Sequence, residues 1–271
     1  MFECVVNVSE GRRLDVLDAL SYASGPSLRD RHADVTHNRS VFTLIHNRDE
    51  LRRGVVSLIV SAMDRLDLRQ HEGVHPRFGV VDVVPFVALE ESRMDEARSL
   101  RDETAAWMSH SFDVPVFLYG ELRDGSFRTL PEVRREAFRT LAPDMGPRVP
   151  HALHGASALG ARGVLVAWNL WVSGISLEEG REIAKSIRQA EVRALAFQIG
   201  DYVQISCNLI DPTRIGPSFV YDRVLGLIKD GVIDHAELIG LIPEAVLRAE
   251  DSTRWEQLGL SLERTIEARL S

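Results

Sequence analysis

Cysteine is scarce in this sequence of 271 residues, which contains only Cys4 and Cys207. Both lie in apolar, strand-like runs, a placement typical of small core residues rather than of a disulfide framework. Free thiols indicate a reducing compartment, so we expect the protein to be cytoplasmic. The opening residues, MFECVVNVSEGRR, also lack the basic and apolar regions of a secretory signal peptide.

An excess of basic residues is missing as well, because 32 Lys and Arg stand against 40 Asp and Glu, for a formal net charge of -8. A general nucleic-acid binder would instead show a basic stripe. No run of 18 apolar residues occurs, so no segment is typical of a membrane-spanning helix. With 45% hydrophobic residues the chain can bury one large core or two modest ones. We therefore expect a globular protein without nucleic-acid or membrane partners.

Hydrophobic periodicity predicts the order β-α-β-β-α-β in the first half of the chain. The expected strands lie at 2–8, 27–34, 40–47 and 80–89, and the expected helices at about 12–23 and 48–67. Pro85 interrupts the last of these strands, which favours an edge or bulged strand. Further along, the pattern indicates a helix at about 92–111, a strand at 114–120, and a segment rich in Pro, Arg and Gly from 121 to 162.

The second half repeats this order with different residues. Its expected strands lie at 163–172, 191–199, 202–210 and 235–242, with helices at 177–189 and about 216–229, and an amphipathic helix in the tail, 246–271. The repeated order is the split βαβ pattern, an antiparallel sheet with both helices on one face. Two copies leave two bare apolar sheet faces, which are buried if the sheets face each other. The sequence therefore predicts an α+β fold of two tandem ferredoxin-like (βαββαβ) subdomains with facing β-sheets and a ligand cleft between them.

The stretch HEGVHPRFG, residues 71–79, matches H-E-x-x-H, in which two histidines on a helix bind zinc. Convergence on one metal requires His71 and His75 to share a helix face. Pro76 disfavours helical backbone at His75, and Gly73 costs about 1 kcal/mol inside a helix. A metal-dependent hydrolase that uses these histidines is therefore the least favoured of the functions considered.

Six of the nine histidines occur as three pairs in loop-like stretches, each pair near an arginine. Histidine titrates near neutral pH and suits proton transfer, whereas arginine binds carboxylates through paired hydrogen bonds. Ordinary surface loops can carry the same residues, but the pairing favours a site for an acidic small molecule undergoing proton-coupled chemistry. The residues are His32 and His37 with Arg39, His71 and His75 with Arg77, and His151 and His154 with Arg148.

The segment GPRVPHALHGASALGARG, residues 146–163, is rich in glycine and contains no acidic residue. Glycine lets the backbone approach a ligand closely, and the exposed amides can bind an anion or a flat heterocycle. An ordinary linker between domains is the alternative interpretation of this segment.

Residues 71–86, HEGVHPRFGVVDVVPF, resemble the pattern H-x-G-x-H-P-R-x-G-x-x-D-V-x-P-F of the glutamate formiminotransferases. Several other segments are similar to that family in the same order, and the resemblance covers about 3–245. They include ECVVNVSEGRR (3–13), HNRSVFT (37–43), DVPVFLYGE (113–121), QISCNL (204–209) and ELIGLIP (237–243). The resemblance implies an N-terminal subdomain, 1–158, and a C-terminal subdomain, 159–271, without a cyclodeaminase domain.

The resemblance implies transfer of a formimino group from N-formimino-L-glutamate to N5 of tetrahydrofolate, a step of histidine catabolism and one-carbon metabolism. Tetrahydrofolate would be the co-substrate, and no metal is expected. The family's catalytic histidine matches His75, which would act as general base and then as general acid. The family's folate-contacting loop matches Gly146, Pro147, Arg148, Val149, Pro150, His151, Ala152, Leu153, His154 and Gly155. Further candidates for binding the substrates or for orienting His75 are Asp30, His32, Asn38, Arg39, His71, Arg77 and Asp82.

The sequence departs from the family pattern at two of these positions. His32 stands where the family more often has the second aspartate of D-x-D, and His154 stands where it more often has a tryptophan. A relative that binds folate, or another acidic heterocycle, without this transfer is therefore an alternative function. The expected partners are the small-molecule substrates and, from the family's habit of pairing, a second copy in a homodimer.

Overall fold

The computed structural model describes residues 1–90 and 93–270. The chain divides into two compact units, Met1–Gly163 and Val164–Ser271. Each unit combines one sheet with helices, so the predicted α+β class is confirmed. The ferredoxin-like assignment and the facing of the two sheets stay predictions. Within the described residues, no helix is long and apolar enough to cross a membrane.

The first unit is built on a seven-stranded sheet, and the predicted order β-α-β-β-α-β is present at its start. Its strands are β1 (Phe2–Val8), β2 (Leu28–Asp34), β3 (Arg39–His46), β4 (Val81–Ala88), β5 (Val116–Glu121), β6 (Phe127–Arg128) and β7 (Ser157–Arg162). Its helices are α1 (Leu14–Ser24), α2 (Arg48–Arg65), α3 (Met94–Phe112) and α4 (Leu130–Glu136). The strand order is β2-β3-β1-β4-β7-β5-β6, in which β7 pairs in parallel with both β4 and β5.

Alternation along the strands decides which residues of the first unit form its main core. Phe2, Cys4 and Val6 of β1 are fully buried in one cluster together with Leu17 of α1 and Leu58 of α2. Successive strand residues point to opposite faces, so every second residue of β1 packs on the helices. The N-terminus of α2 is fixed in turn by the side chain of Asn47, which accepts a hydrogen bond from the backbone N–H of Glu50.

A second, smaller cluster lies on the opposite face of the same sheet. Phe117 of β5 belongs to it, whereas its neighbours Val116 and Leu118 belong to the main core. Val133 of α4 and Phe78 of the loop before β4 pack in this second cluster. The cluster therefore holds α4 on the sheet face away from the long helices, next to the loop that precedes β4.

Two predictions for the first unit are corrected by the structure. The strand that contains Pro85 is central rather than an edge, because β4 pairs with both β1 and β7. The bulged alternative is supported instead, because the register of β4 against β1 shifts between Asn7 and Val8. The segment 121–162, to which the hydrophobic pattern assigned no helix or strand, contains β6, α4 and β7.

The second unit has a four-stranded antiparallel sheet in the order β11-β8-β10-β9, formed by β8 (Val166–Ser173), β9 (Val192–Ile199), β10 (Tyr202–Leu209) and β11 (Val232–Ile239). With α5 (Leu177–Ile187) and α6 (Pro217–Leu225) it again gives the predicted order β-α-β-β-α-β. The predicted tail helix is wrong, since α7 (Glu244–Ala249) is short and short turns follow it. Gly259 in that tail has φ 64°, and a Cβ there would lie 2.3 Å from the carbonyl oxygen of Ala236, so the chain packs closely instead of continuing a helix.

Candidate active site

The loop 71–79 is irregular, so the helix that the H-E-x-x-H pattern requires is absent from this described stretch. The loop lies against the turn between β2 and β3. A Cβ at Gly73 would be only 2.2 Å from the carbonyl oxygen of His37, and the N–H of Val74 donates to the carbonyl of Thr36. Across residues 1–90 and 93–270, no three His, Cys, Asp or Glu side chains come together as a metal-binding group.

Asn38 joins three separate segments at this turn. Its φ of 47° is left-handed, a conformation that asparagine adopts more readily than most residues. Its Oδ1 accepts from the N–H of Gly11 at 2.9 Å, and its Nδ2 donates to the carbonyl of Glu72 at 2.9 Å. Its own carbonyl accepts from Nε2 of His71 at 2.6 Å. The turn, the β1–α1 loop and the loop 71–79 are therefore held as one assembly.

His71 and Arg77 both contact the backbone around this turn. Because a carbonyl can only accept, the bond to Asn38 places the proton of His71 on Nε2. Burial lowers the pKa of His71 below its ordinary value, so the ring is neutral at neutral pH. Arg77 donates to the carbonyl of His71 at 2.6 Å and to that of Gly73 at 3.3 Å. These contacts stabilise the loop conformation.

His75 is held in a defined tautomer. Its Nδ1 lies 2.6 Å from the carbonyl oxygen of Pro76, which can only accept, so Nδ1 carries the proton and Nε2 is the basic nitrogen. Burial, together with the positive charges of Arg39 and Arg134, lowers the pKa of His75 to about 3. The ring also meets that of His37 edge to face, with centroids 5.7 Å apart. At neutral pH this imidazole is therefore a neutral base.

Asp82, at the start of β4, is a fully buried carboxylate between two arginines. Its Oδ2 accepts from Arg39 and, at 2.6 Å, from Arg134, while its Oδ1 accepts from the N–H of Phe78 at 2.6 Å. Burial opposes its ionisation, but the charges of the two arginines outweigh burial and lower its pKa to about 2. Arg39 also donates to Oδ1 of Asn7 at 2.8 Å. One negative and two positive charges thus leave this cluster with a net positive charge beside His75.

Arg134 is a member of this cluster that the sequence did not reveal, because it lies in the segment 121–162, to which the hydrophobic pattern assigned no helix. Besides its bond to Asp82, it donates from Nη1 to the carbonyl of Pro76 at 3.3 Å. A sequence signal for its helix exists in the capping box of Thr129 and Glu132, whose side chains each accept from the other's backbone N–H. The capping box would have predicted α4, although not the position of Arg134.

Asp30 and His32 lie on β2, opposite Thr43 and Val41 of β3. Val41 pairs in turn with Asn7 of β1. Paired residues share a sheet face, so Asp30 and His32 lie on the same face as Asn7, the partner of Arg39. The structure thus places these two candidates on the sheet surface that carries one end of the charged cluster.

The loop 146–155 turns back on itself beside the loop 71–79. His151 and Gly155 exchange two backbone hydrogen bonds of 2.8 Å, and the N–H of Val80 donates to the carbonyl of His154 at 3.0 Å. The rings of His151 and His154 stack with centroids 4.6 Å apart, and Nε2 of His154 bonds the carbonyl of Met63 at 3.0 Å. The exposed residues of the loop are Gly146, which has φ 84°, Arg148, Val149, Pro150 and Ala152, whereas Pro147 and Leu153 are half-buried.

Comparison with known proteins gives one family. Residues 1–162 match the sequence model described as "Formiminotransferase domain, N-terminal subdomain". The chain is 32% identical over 272 residues to the glutamate formimidoyltransferase of Thermoplasma acidophilum, a match that covers 91% of this chain and 89% of the relative. It is 30% identical over 270 residues to that of Streptococcus pyogenes serotype M1, covering 90% of each. It is 29% identical over 274 residues to the formimidoyltransferase-cyclodeaminase of Sus scrofa, covering 90% of this chain and 50% of the relative.

Proposed function

We propose that this chain, which belongs to the formiminotransferase family, moves the formimino group of N-formimino-L-glutamate to N5 of tetrahydrofolate, with His75 as the acid–base group. The two relatives named glutamate formimidoyltransferase, at 32% and 30% identity, support the reaction class. The observation that carries the role of His75 is its bond from Nδ1–H to Pro76, which makes Nε2 the nitrogen that accepts a proton.

The reaction needs one proton to leave and one to arrive. N5 of tetrahydrofolate attacks the formimino carbon and forms a C–N bond, and the N5 proton must then be removed. The bond between that carbon and the glutamate nitrogen breaks afterwards, and the departing amine must gain a proton. Nε2 of His75 takes the first proton and supplies the second, so the histidine returns to its neutral form.

The charges around His75 suit this cycle once the substrates are bound. In the free protein, burial and the two neighbouring arginines keep His75 neutral, with a pKa of about 3. Formiminoglutamate and the folate tail carry carboxylates, whose negative charge offsets the arginines and favours the protonated ring. Substrate binding would therefore raise the pKa of His75 toward the working pH, where a general acid–base group is most effective.

The substrate contacts are proposed from the family resemblance together with the positions of these residues. The guanidinium groups of Arg39 and Arg77 donate hydrogen bonds to neighbouring protein groups, so we assign these two arginines to stabilising the site. Arg148 is exposed on the loop 146–155, and we assign it to the carboxylates of the folate tail. The other residues of that loop are assigned to the pterin and its linker. Asp30 and His32 are assigned to the formimino substrate from the sheet face that they share with Asn7.

The test is an assay of purified protein that follows glutamate release and the formation of 5-formiminotetrahydrofolate. We expect turnover in the unmodified chain and a loss of about 10²-fold to 10⁴-fold in kcat for His75→Gln, because proton transfer is removed. His110→Gln, on the exposed surface of the last turn of α3, is the matched control and should keep full activity. Binding of a reduced folate by isothermal titration without any turnover would reject the transferase and leave a folate-binding protein.

The proposed oligomeric state and subdomains rest on the family resemblance, and the proposed compartment rests on the free cysteines. We propose a cytoplasmic homodimer whose N-terminal subdomain covers 1–158 and whose C-terminal subdomain covers 159–271. Analytical ultracentrifugation of the full chain at several concentrations measures the oligomeric state, and a monomer at all of them would contradict the dimer.

A further inference from the structure

Arg134 donates hydrogen bonds to two groups of the site around His75, a carboxylate and a backbone carbonyl. Its Nη2 donates to Oδ2 of the buried Asp82 at 2.6 Å, and its Nη1 donates to the carbonyl of Pro76 at 3.3 Å. That same carbonyl accepts the Nδ1 proton of His75 at 2.6 Å. One planar guanidinium therefore links a fixed anion in β4 to the acceptor that determines the histidine tautomer.

Asp82 and Arg134 are both held in place by other contacts. Asp82 is held by Arg39 and by the N–H of Phe78 as well as by Arg134, and it is fully buried. Arg134 lies on α4, which is fixed by its capping box and by the burial of Val133 in the second cluster. A peptide carbonyl in an irregular loop can otherwise rotate, and Pro76 lies in such a loop.

We propose that Arg134 is a positioning residue for the transfer reaction: it fixes the Pro76 carbonyl and thereby keeps His75 in the tautomer whose Nε2 accepts the proton. Neither the sequence motif nor the comparisons assign a role to this arginine. The inference deepens the proposed function and depends on it only for the rate measurements.

Arg134 also belongs to the set of charges that surround His75. Those charges are Arg39 from β3, Asp82 from β4 and Arg134 from α4, with the His37 ring packed edge to face from the β2–β3 turn. Removing the positive charge of Arg134 lowers the electrostatic cost of protonating His75. A charge effect and a positioning effect can therefore be separated with two different substitutions.

The experiment compares Arg134→Gln with Arg134→Lys. Arg134→Gln removes the charge and the planar guanidinium group, whereas Arg134→Lys keeps the charge but has a single donor nitrogen. In both variants kcat should fall by up to about 10²-fold, because the base is no longer held in place, while KM changes little. The acid limb of the kcat/KM pH profile should move to higher pH in Arg134→Gln and stay in place in Arg134→Lys. Arg135→Gln is the matched control, since Arg135 is exposed and pairs with Glu136.

The tautomer is measured directly and without reference to activity. Long-range ¹H–¹⁵N correlation spectra of the histidine rings distinguish a protonated from an unprotonated ring nitrogen, and the His75 signals are assigned by their absence in His75→Gln. We expect a protonated Nδ1 and an unprotonated Nε2 in the unmodified chain and in Arg135→Gln. Both Arg134 variants should show a mixture of the two tautomers.

Two results would overturn the proposal. The first is an unchanged His75 tautomer in both Arg134 variants. The second is a rise in KM at constant kcat, because it would make Arg134 a substrate contact. Thermal unfolding is followed alongside, and if Arg134→Gln does not fold, Arg134→Lys still forms a pair with Asp82 and carries the test. If the unmodified chain has the expected tautomer but no transfer activity, the positioning role stands and the proposed function fails.

Discussion

At the scale of single residues, the site is dominated by one buried carboxylate. Asp82 has no exposed surface and keeps its charge because Arg39 and Arg134 both bond its Oδ2. A buried charge that loses its partners is costly, and the same holds for partners left without the charge. The orientation of the two arginines, and of the loop carbonyl that Arg134 contacts, therefore depends on this single side chain.

Asp82→Asn should lower the free energy of unfolding by about 3 to 5 kcal/mol, because it leaves two arginines without their counter-charge in a mostly buried cluster. Urea unfolding measures the loss. Asp18→Asn is the control, since the Asp18 side chain is 70% exposed where it pairs with Arg31, and a pair at the surface contributes about 0 to 1 kcal/mol. Equal stability losses in the two variants would show that the buried cluster is not a stabilising unit.

At the scale of elements, the site is the meeting point of a turn, an irregular loop and a short helix. The hydrophobic pattern predicted the strands and helices of the first unit up to β5, because those elements have clear periods of two or 3.6 residues. It missed β6, α4 and β7, which lie in a segment rich in Pro, Arg and Gly. β7 pairs in parallel between β4 and β5, a contact between distant residues that no local pattern encodes.

The residues of the candidate site could be predicted from the sequence only where they lie in a recognisable motif. The segment 71–86 identified His75 and Asp82 through a family pattern, and the structure links both to Arg39 through charge or hydrogen bonding. Arg134 has no motif of its own and enters the site only because the second cluster holds α4 beside the loop. Tertiary packing, rather than sequence spacing, determines that contact.

Gly73→Ala tests whether the close approach of the loop to the β2–β3 turn is needed. A Cβ at this position would lie 2.2 Å from the carbonyl oxygen of His37, so the loop must move and displace His75. We expect a loss of about 10²-fold in kcat/KM, with little change in thermal unfolding because the loop is at the surface. Gly163→Ala, where a Cβ meets nothing within 4 Å, should leave activity unchanged. Full activity in Gly73→Ala would mean that the loop position does not control His75.

At the scale of the whole chain, the two units share one strand order, and the first unit adds further elements to it. The order β2-β3-β1-β4 in the first unit corresponds to β9-β10-β8-β11 in the second. The first unit adds α3, β5, β6, α4 and β7 to this pattern, and α4 supplies Arg134. Arg39, Asp82 and Arg134, the charged groups described near His75, all belong to the first unit.

The stability of the chain should depend on pH through two groups whose pKa values are shifted in opposite directions by folding. Burial raises the pKa of Glu3 from 4.5 to about 7, although the charge of Arg162 opposes the shift. A raised folded-state pKa stabilises the fold below pH 4.5, and this stabilisation is lost as the pH rises to 7. His75 acts in the opposite sense, because its lowered pKa stabilises the fold above pH 6.5, and this contribution is lost as the pH falls toward 3.

Glu3→Gln separates these two contributions, since glutamine resembles the protonated carboxyl group and does not titrate. Between pH 4.5 and 7 the unmodified chain should lose on the order of 1 to 3 kcal/mol of unfolding free energy relative to Glu3→Gln, because a buried carboxyl must ionise. Urea unfolding of both proteins at pH 4.5, 5.5, 6.5 and 7.5 measures the difference, and His75 contributes equally to both. A constant difference across this range would mean that Glu3 titrates alike in the folded and unfolded chain, and that its burial does not control its charge.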